Sequence, residues 1–407
     1  MKTVDLIIKN ANELITLKGA NRPRVGKEMK DLGIIQKGSI AIKEGKIMDV
    51  GKNLEYNAKK TIDASGKTVI PGFVDPHTHV VYAGSREFEL DMKLKGLSYI
   101  DILKQGGGIF YTVDKTRKAS EKQLIDESKQ RLDIMLRFGT TTCEAKTGYG
   151  LDTKNEIKML NVIKKLDEIH PIDIIPTFLG AHAVPKEYQS NEYTDIIINE
   201  MLPKVKKLAK FCDVFCERDV FSIEQSREIL EASKEYGLVP KIHADEIVDT
   251  GGASLAAEIN AISADHLLMS SDNGLEEMAR KGIVGVLLPG TPFSLMQKNY
   301  ARARKMIKLG VPIALATDLN PNCWTENMQF MIQLACLNMK MTPAEAIVSA
   351  TFNAACAIGI QNKVGSLEKG KQADILILDC PNYKFIPYHF GINLAKTVIK
   401  NGKIVEF

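Results

Sequence analysis

The chain has 407 residues, of which 44% are hydrophobic and 26% are charged, and this balance excludes a disordered or collagen-like protein. Its formal net charge of +4 is too small to indicate a nucleic-acid-binding protein. No apolar stretch is long enough for a transmembrane helix, the N-terminus does not have the pattern of a signal peptide, and seven scattered cysteines are typical of reduced thiols. We therefore expect a cytoplasmic protein with neither a membrane nor a nucleic-acid partner.

Both ends of the chain are predicted to be rich in short β-strands. Apolar runs alternate with turn residues in VDLIIKNA, GSIAIKEGKIMDVG and TIDASGKTVIPG near the start, and in GSLEKGKQADILILD and TVIKNGKIVEF near the end. Runs of this length that are bounded by Gly, Asn and Asp are typical of strands joined by tight turns.

The middle of the chain has a different pattern, in which short apolar strands alternate with amphipathic helices. Helices are predicted at Glu121–Arg137, Thr153–Ile169 and Ser222–Tyr236. The strands are predicted at Thr68–Val74, Thr140–Ala145, Ile172–Gly180, Cys212–Cys216, Val239–Ile242, Ala261–Ala264, Val284–Leu288 and Pro312–Ala316. Eight parallel strands with intervening helices are the number in a TIM barrel. A doubly wound sheet stays open, but it should show a glycine-rich phosphate loop after the first strand, where this chain has Asp75-Pro-His-Thr-His79.

Several of these strands are followed by side chains that suit a metal site. Five of the seven histidines and one aspartate lie at or just beyond predicted strand ends: His77, His79, His182, His243, His266 and Asp318. The C-terminal ends of TIM-barrel strands converge on one face, where active sites are built. This shared position favours one common site over isolated, hydrogen-bonded histidines.

The pair His77 and His79 is the sharpest local signal of a bound metal. Residues i and i+2 of an extended segment point to the same side, so both imidazoles can reach one ion. His243 and Asp318 would complete a set of three histidines and one aspartate, with a position left for water. Such ligands suit zinc and also iron.

These motifs resemble the amidohydrolase superfamily and, over nearly the whole chain, its imidazolonepropionase family. The superfamily is indicated by Pro71-Gly-Phe-Val-Asp-Pro-His77-Thr-His79 and the family by segments such as Glu144-Ala-Lys-Thr-Gly-Tyr149-Gly-Leu151, Lys241-Ile-His243-Ala-Asp-Glu246 and Ala314-Leu-Ala-Thr-Asp318. The resemblance implies an α/β fold in which a metal-dependent TIM (β/α)8 barrel spans residues 69–360. A small β-sandwich domain would be formed by both termini, residues 1–68 and 361–407.

The resemblance also implies the reaction, which is hydrolysis of the ring amide of 4-imidazolone-5-propanoate to N-formimidoyl-L-glutamate in histidine degradation. A carboxylate must carry a proton from the attacking water to the leaving nitrogen. Glu246, three residues beyond His243, is expected to be this shuttle, with Asp245 as its rival. His266 is expected to hydrogen-bond the water and to steady Asp318. Which of Glu246, His266 and Asp318 takes the proton first stays open.

One zinc or iron ion is expected per subunit. Many two-metal members of the superfamily use a modified lysine at the end of strand four, and the segment from Cys212 to Glu217 has none. Lys146 lies on strand two and does not replace it by position. The family also suggests a homodimer.

The small-molecule substrate has a planar polar ring and an anionic propionate tail. The resemblance puts Arg86 on the substrate, where a guanidinium can bind a carboxylate through two parallel hydrogen bonds. Tyr149 is expected to offer its hydroxyl to the tail, and His182 to donate to the ring carbonyl.

The loop after strand eight departs from the family pattern. The family usually continues as Asn-Pro-Gly followed by Ser or Thr, and this chain has Asn320-Pro-Asn322-Cys323-Trp324. Asn320 is kept as a substrate contact. Asn322 and Cys323 are expected to reach the tail through their backbone N–H groups, and Trp324 either packs the loop or narrows the pocket.

Two other functions remain as alternatives. A deaminase of the cytosine or guanine type would use the same metal ligands and release ammonia, but Arg86 and Tyr149 favour an anionic tail that those bases lack. A non-catalytic scaffold with this fold would be expected to have lost metal ligands, whereas His77, His79, His243 and Asp318 are all present.

Overall fold

The fold consists of a parallel barrel and a separate sheet built from both chain ends, in a computed structural model that describes residues 2–97 and 99–407. Before the barrel the strands are β1 (Thr3–Ile15), β2 (Ile34–Lys43), β3 (Lys46–Lys52), β4 (Asn57–Asp63) and β5 (Thr68–Pro71). The barrel strands are β6 (Phe73–Asp75), β7 (Thr140–Lys146), β8 (Asp173–Ala181), β9 (Phe211–Cys216), β10 (Val239–Ala244), β11 (Ser263–His266), β12 (Val284–Leu287) and β13 (Ile313–Leu315). After the barrel come β14 (Ile375–Leu378), β15 (Ala395–Lys400) and β16 (Lys403–Ile404). The predicted fold class is confirmed.

Helices cover the outside of the barrel and its connecting loops. The α-helices, in chain order, are α1 (Phe88–Leu94), α2 (Tyr99–Lys104), α3 (Ile109–Lys118), α4 (Glu121–Arg137), α5 (Thr153–Ile169), α6 (Ser190–Ile196), α7 (Leu202–Val205), α8 (Ile223–Glu235), α9 (Gly252–Glu258), α10 (Asp272–Lys281), α11 (Gly290–Ser294), α12 (Ala303–Leu309), α13 (Met328–Leu337), α14 (Pro343–Ala350), α15 (Phe352–Ala357) and α16 (Phe385–Tyr388). A 3-10 helix spans Gly26–Lys30, and a π-helical turn spans Ile197–Met201. Among the described residues no helix has the length and apolar character needed to cross a bilayer.

The strands of the chain ends form one sheet in the order β16-β15-β14-β5-β1-β2-β3, with β4 also paired to β1. The sheet curls, because the turn at Gly45–Ile47 exchanges backbone hydrogen bonds with residues 370–373, which precede β14. Apolar side chains from distant strands, including Leu6, Ile40 and Ile399, therefore meet in one core.

The predicted strand Thr68–Val74 is in fact two strands that belong to different sheets. Thr68–Pro71 pairs with the terminal strands β1 and β14, and Phe73–Asp75 begins the barrel. The chain crosses between the sheets at Gly72, where a Cβ atom would lie 2.2 Å from the Oγ1 atom of Thr141. The change of sheet therefore falls after β5, whereas the sequence placed it at residue 68. The other seven barrel strands lie within two residues of their predicted bounds.

Candidate metal centre and substrate pocket

The metal-binding motif of the first barrel strand lies directly beside the aspartate of the last. The strands pair in the order β6 to β13, and the segments that follow β6 and β13 close the ring. The N–H of Asp318 donates to the carbonyl of His77 at 3.1 Å, and the N–H of His79 donates to the carbonyl of Leu319 at 2.8 Å. Closure of the barrel therefore fixes both histidines against Asp318.

His77 and His243 are each oriented by a buried carboxylate on a neighbouring strand. The Nδ1 atom of His77 lies 2.6 Å from the Oδ2 atom of Asp265, and the Nδ1 atom of His243 lies 3.1 Å from the Oδ1 atom of Asp213. A carboxylate accepts, so Nδ1 carries the proton in both rings and Nε2 keeps a lone pair. Both Nε2 atoms are buried, and neither has a hydrogen-bond partner among residues 2–97 and 99–407. This is the arrangement that protein metal sites use to orient imidazole ligands.

The candidate ligand atoms of His77, His79 and His243 lie within 4.8 Å of one another, and His77, His266 and Asp318 form a second such group. The Nε2 atoms of His77 and His79 lie 3.5 and 3.7 Å from the Oδ1 atom of Asp318. Buried lone pairs directed at a buried carboxylate oxygen fit a cation between them. The four sequence-predicted ligands are thus brought together, and we call this group the metal face.

Burial favours the neutral form of three histidines of this region. It lowers the pKa of His77, His79 and His266 well below the usual range, and the positive charge of Lys146 lowers it further. Burial also raises the pKa of Asp318 to about 6, against the hydrogen bond that its Oδ2 atom accepts from Thr291 at 2.6 Å. A site of neutral imidazoles and a buried carboxylate is suited to receive a cation.

Beneath the metal face, the barrel interior holds a network of fully buried charges. The Nζ atom of Lys146 lies 2.6 Å from Asp213 and 2.9 Å from Glu144, and it also lies 3.5 Å from Asp265. Lys241 adds a second cation, with its Nζ atom 3.2 Å from Glu144. The network holds in place the carboxylates that orient His77 and His243. Sequence reasoning missed it, although charged residues two apart in apolar strands signal an inward polar face.

Glu246 lies at the edge of the metal face, and its neighbour Asp245 does not. The Oε2 atom of Glu246 lies 3.6 Å from the Nδ1 atom of His266. Burial raises the pKa of Glu246 to about 8, with Asp318 and Glu217 adding to the effect. The Asp245 carboxylate instead accepts hydrogen bonds from the segment 250–253 and from Ser270, so it organises the loop that leads into α9.

Backbone strain is concentrated at the same site. His266, Leu267 and Asp318 have φ angles of 76°, 61° and 54°, in the left-handed region that residues with a Cβ atom rarely adopt. Such strain persists only where the surrounding structure holds it, and it is frequent at functional sites.

A buried glutamate shapes the loop that carries Tyr149. Glu156 accepts hydrogen bonds from the N–H groups of Gly148, Gly150 and Leu151, and Arg117 donates to the carbonyls of Gly150 and Leu151. Both partners are absent from the sequence predictions. They hold Tyr149 with its ring centroid 5.8 Å from that of His79.

The orientation of His182 corrects its predicted role. Its ring stacks on His79 at 4.9 Å, and its Nδ1 atom lies 3.0 Å from the carbonyl oxygen of Gly148. Burial lowers the pKa of His182 to about 3, so the ring is neutral and its one proton is on Nδ1. The remaining Nε2 atom is an acceptor and cannot donate to a substrate carbonyl as the sequence analysis expected. Gly148 has a φ of +104°, and a Cβ atom there would lie 2.8 Å from Nδ1 of His182.

Arg86, which is predicted to contact the substrate tail, forms an ion pair within the protein that the sequence did not indicate. Its Nε and Nη2 atoms donate to the two carboxylate oxygens of Glu89 at 2.7 and 2.8 Å, and both side chains are buried. The N–H of Gly108 also donates to Glu89 at 2.6 Å. Burial alone would raise the pKa of Glu89, but these donors outweigh it and lower the pKa below the usual value.

The loop after β13 uses its own backbone donors internally. The N–H groups of Asn322 and Cys323, which we expected to contact the tail, both donate to the Oδ1 atom of Asn320 at 2.7 and 3.0 Å. The side chain of Asn320 in turn donates to the carbonyl of Asp318 at 2.7 Å. These three residues are therefore placed beside the metal face, with their expected contact groups already satisfied within the loop.

A pocket of about 650 Å³ opens next to this loop. We call it the tail pocket and define it by Arg86, Lys93, Asn322 and Trp324, which line it together with Phe293 and Tyr300. Lys93 was not predicted from the sequence, because a lysine in an amphipathic helix gives no signal that separates it from a surface residue.

Comparisons with known proteins agree with this architecture. The amidohydrolase family profile matches residues 68–405. The chain is 53% identical to an imidazolonepropionase of Alkaliphilus metalliredigens, over 99% of this chain and 98% of the relative, and 54% identical to one of Geobacillus kaustophilus, over 98% and 97%. Among solved structures it is similar to an atrazine chlorohydrolase from Arthrobacter aurescens complexed with zinc, with a TM-score of 0.75 and 16% identity, over 98% of this chain and 94% of that one. It is also similar to a zinc-bound adenosine deaminase from Xanthomonas campestris, with a TM-score of 0.73 and 16% identity, over 99% and 93%.

Proposed function

The chain belongs to the amidohydrolase family, and within it to the imidazolonepropionases, and on this premise we propose how its residues carry out the hydrolysis of 4-imidazolone-5-propanoate in histidine degradation. The observation that carries the proposal is the metal face, where the ligand atoms of His77, His79 and His243 converge within 4.8 Å. The reaction forms a bond between the water oxygen and the ring carbonyl carbon, breaks the ring amide C–N bond, and transfers one proton from that water to the leaving ring nitrogen, which yields a carboxylate and an N–H.

We propose that His77, His79, His243 and Asp318 hold one divalent cation. The unpartnered Nε2 atoms of His77 and His243 and the nearby Oδ1 atom of Asp318 support this set. When bound, such an ion lowers the pKa of a coordinated water and polarises a carbonyl oxygen. Asp265 and Asp213 hold the two imidazoles in the tautomer that leaves Nε2 available.

One zinc or iron ion per subunit fits the residues around the metal face. Lys146, beneath the metal face, is held by two carboxylates at 2.6 and 2.9 Å, which stabilises its charged ammonium form and leaves no neutral amine for modification. Elemental analysis of the purified chain should give one equivalent of metal. Two tightly bound equivalents per chain would contradict the proposal.

Glu246 is proposed to take the proton from the attacking water and to deliver it to the leaving nitrogen. Its carboxyl group lies beside the metal face, and its pKa of about 8 is close to the range in which one group can both accept and return a proton near neutral pH. His266, 3.6 Å from Glu246, is proposed to hydrogen-bond the water and to steady the shuttle. Asp245 is excluded from this role because its oxygens are occupied by the loop.

For the substrate ring, we propose that His182 accepts a hydrogen bond from a ring N–H, since its Nε2 atom is the free lone pair. Tyr149, on the loop held by Glu156, is proposed to direct its hydroxyl towards the substrate. Arg86 lines the tail pocket, and its Nη1 atom remains for a carboxylate when Nε and Nη2 hold Glu89. Asn320 shapes the loop that separates the tail pocket from Asp318.

A homodimer is proposed from the family resemblance. The side chains of Tyr388 and Phe390 are 79% and 69% exposed, and apolar surface of this kind is often covered by another subunit. Light scattering of the purified chain should give twice the mass of one chain, and a monomer at micromolar concentration would contradict it.

The reaction is tested with the metal-loaded protein and freshly prepared imidazolone propanoate. We expect one equivalent of N-formimidoyl-L-glutamate for each substrate consumed, no release of ammonia, and loss of turnover when a chelator removes the metal. Cytosine and guanine are the comparison substrates. Rapid ammonia release from either base, without hydrolysis of imidazolone propanoate, would replace the proposal with a deaminase.

A further inference from the structure

The aspartate of the metal face accepts a hydrogen bond from a threonine of the neighbouring loop. The Oγ1 atom of Thr291 donates to the Oδ2 atom of Asp318 at 2.6 Å, and both side chains are buried. Thr291 belongs to α11, which follows β12, and Asp318 follows β13, which pairs with β12. The two residues therefore lie beyond the ends of adjacent barrel strands, on the face where active sites are built.

The two carboxylate oxygens of Asp318 have different surroundings. Oδ1 lies 3.5 Å from the Nε2 atom of His77 and 3.7 Å from that of His79, so it belongs to the metal face. Oδ2 accepts the hydrogen bond from Thr291. A hydroxyl group has a single proton to donate, and here that proton is directed at Oδ2. One oxygen is therefore presented to a cation while the other is held by the threonine.

The backbone on both sides of this contact is fixed. The N–H of Asp318 donates to the carbonyl of His77 at 3.1 Å, and the carbonyl of Asp318 accepts from the side chain of Asn320 at 2.7 Å. The N–H of Thr291 donates to the carbonyl of Leu288 at 3.1 Å. Because the backbone is held, the freedom that the hydroxyl removes is rotation of the Asp318 carboxylate.

Close packing sets the distance between the two loops. A Cβ atom at Gly290, the residue before Thr291, would lie 3.2 Å from the Sγ atom of Cys323 and 3.2 Å from the Sδ atom of Met331. The start of α11 is thus in direct contact with the loop after β13 and with α13. This contact keeps the hydroxyl of Thr291 within reach of Asp318.

We propose that Thr291 is a positioning residue of the metal face, which holds Asp318 as a ligand through Oδ1 alone and so keeps one coordination position of the cation open. A carboxylate can bind a metal through one oxygen or through both, and catalytic metal sites keep a position free of protein ligands. The inference deepens the proposed function and rests on it, because it takes Asp318 to be a metal ligand. Partners of this kind orient the groups that bind the metal.

The test uses Co(II) as the bound cation, because the visible absorption of Co(II) weakens as the number of its ligands rises. Spectra and cobalt content are measured on the full chain, as wild type and as the Thr291→Val, Thr291→Ala, Thr291→Ser and Thr194→Val variants. Valine is close to threonine in shape but has no hydroxyl, alanine removes the hydroxyl without putting a methyl group in its place, and serine keeps it. Thr194 is also buried, and its hydroxyl donates to a backbone carbonyl at 2.9 Å, so its variant is matched for side chain and burial.

Wild type should bind one equivalent of Co(II). Thr291→Val and Thr291→Ala leave Oδ2 buried without this donor, so the cation should attract it as a second ligand, and the visible absorbance per bound cobalt should fall severalfold. Thr291→Ser and Thr194→Val should keep the wild-type spectrum.

A wild-type spectrum in both Thr291→Val and Thr291→Ala overturns the proposal. Lower cobalt affinity or lower thermal stability with an unchanged spectrum also overturns it, since that is the result of a structural role. Failure of both variants to bind cobalt overturns it as well, because Thr291 would then be needed for the site to form and not for the way in which Asp318 binds.

Turnover of imidazolone propanoate by the wild type separates this inference from the proposed function. Hydrolysis by a wild type whose cobalt spectrum does not depend on Thr291 would reject the role of Thr291 alone. A spectrum that depends on Thr291 in a protein that does not hydrolyse the substrate would reject the reaction and retain Thr291 as the residue that orients Asp318. A wild type that binds no cobalt would overturn the set of metal ligands and the role of Thr291 together.

Discussion

The metal face and the tail pocket are adjacent, but their side chains are held in different ways. On the metal face, His77 and His243 meet carboxylates whose positions follow from the pairing of β9, β10 and β11. In the tail pocket, Arg86 and Lys93 depend on residues of a short helix and a loop. Paired strands hold the carboxylates that contact the two histidines, whereas a short helix and a loop hold the partners of Arg86 and Lys93. The difference teaches that the contacts of these candidate metal ligands follow from strand pairing and that the contacts of the pocket residues do not.

The largest effect is expected from Glu246→Gln, which tests the proposed proton shuttle at the edge of the metal face. The amide has nearly the same shape but cannot accept the proton, so turnover should fall about 10²- to 10⁴-fold. Metal content and the dissociation constant of 3-(imidazol-4-yl)propanoate should stay unchanged. Steady-state kinetics and elemental analysis check this, with Asp245→Asn as a control that disturbs the loop and not the shuttle. Near wild-type turnover in Glu246→Gln would remove it from the mechanism.

Lys146→Met tests how much the buried charges beneath the metal face contribute to the stability of the fold. The substitution leaves Asp213 and Glu144 without the cation that lies 2.6 and 2.9 Å away. Breaking a buried ion pair in this way should lower the free energy of unfolding by about 3–5 kcal/mol. Denaturant titration measures it, and Lys154→Met on the exposed face of α5 is the control. Equal stability of the two variants would show that the network contributes nothing to stability.

The two regions also differ in how well the sequence predicted them. The histidines and Asp318 were found because each lies at a strand end, and parallel strands bring such ends to one face. The N–H groups of Asn322 and Cys323 were assigned to the substrate, but Asn320 takes both. Arg86 was expected to contact the substrate tail, and its pairing with Glu89 was not predicted. The spacing of residues along the sequence predicts where a residue lies on a strand. It does not predict which of several nearby polar groups will form a hydrogen bond with a loop residue.

The buried charges inside the barrel are a second feature whose contacts the sequence did not predict. Asp213 and Asp265 lie on β9 and β11, which the sequence predicted to within two residues, yet their contacts with His243 and His77 were not predicted. A charged residue inside an apolar strand is costly to bury unless it is paired. The presence of a charged residue in an apolar strand therefore indicated a buried partner. The identity of that partner depended on how the strands are aligned in the closed barrel.

Asp265→Asn should weaken metal binding without unfolding the barrel. The amide can no longer stabilise the Nδ1 proton of His77, which lies 2.6 Å away, and loss of such a partner typically costs ten- to a hundredfold in metal affinity. Competition with a chelator of known affinity measures it, and Asp272→Asn, on an exposed helix start, is the control. An unchanged affinity would mean that His77 is oriented by the backbone alone.

The smallest effect is expected from Glu156→Gln, which tests the hydrogen bonds that hold the loop around Tyr149. Glu156 accepts the N–H groups of Gly148, Gly150 and Leu151, and the amide that replaces it keeps one accepting oxygen. We expect about 0.5–1.5 kcal/mol to be lost per hydrogen bond removed, seen as a severalfold rise in KM at nearly constant kcat, because Tyr149 shifts while the metal face does not move. Glu121→Gln, on an exposed helix start, should change neither constant. A fall in kcat as large as the rise in KM would mean that this loop takes part in the chemistry. The role of Tyr149 would then extend beyond substrate binding.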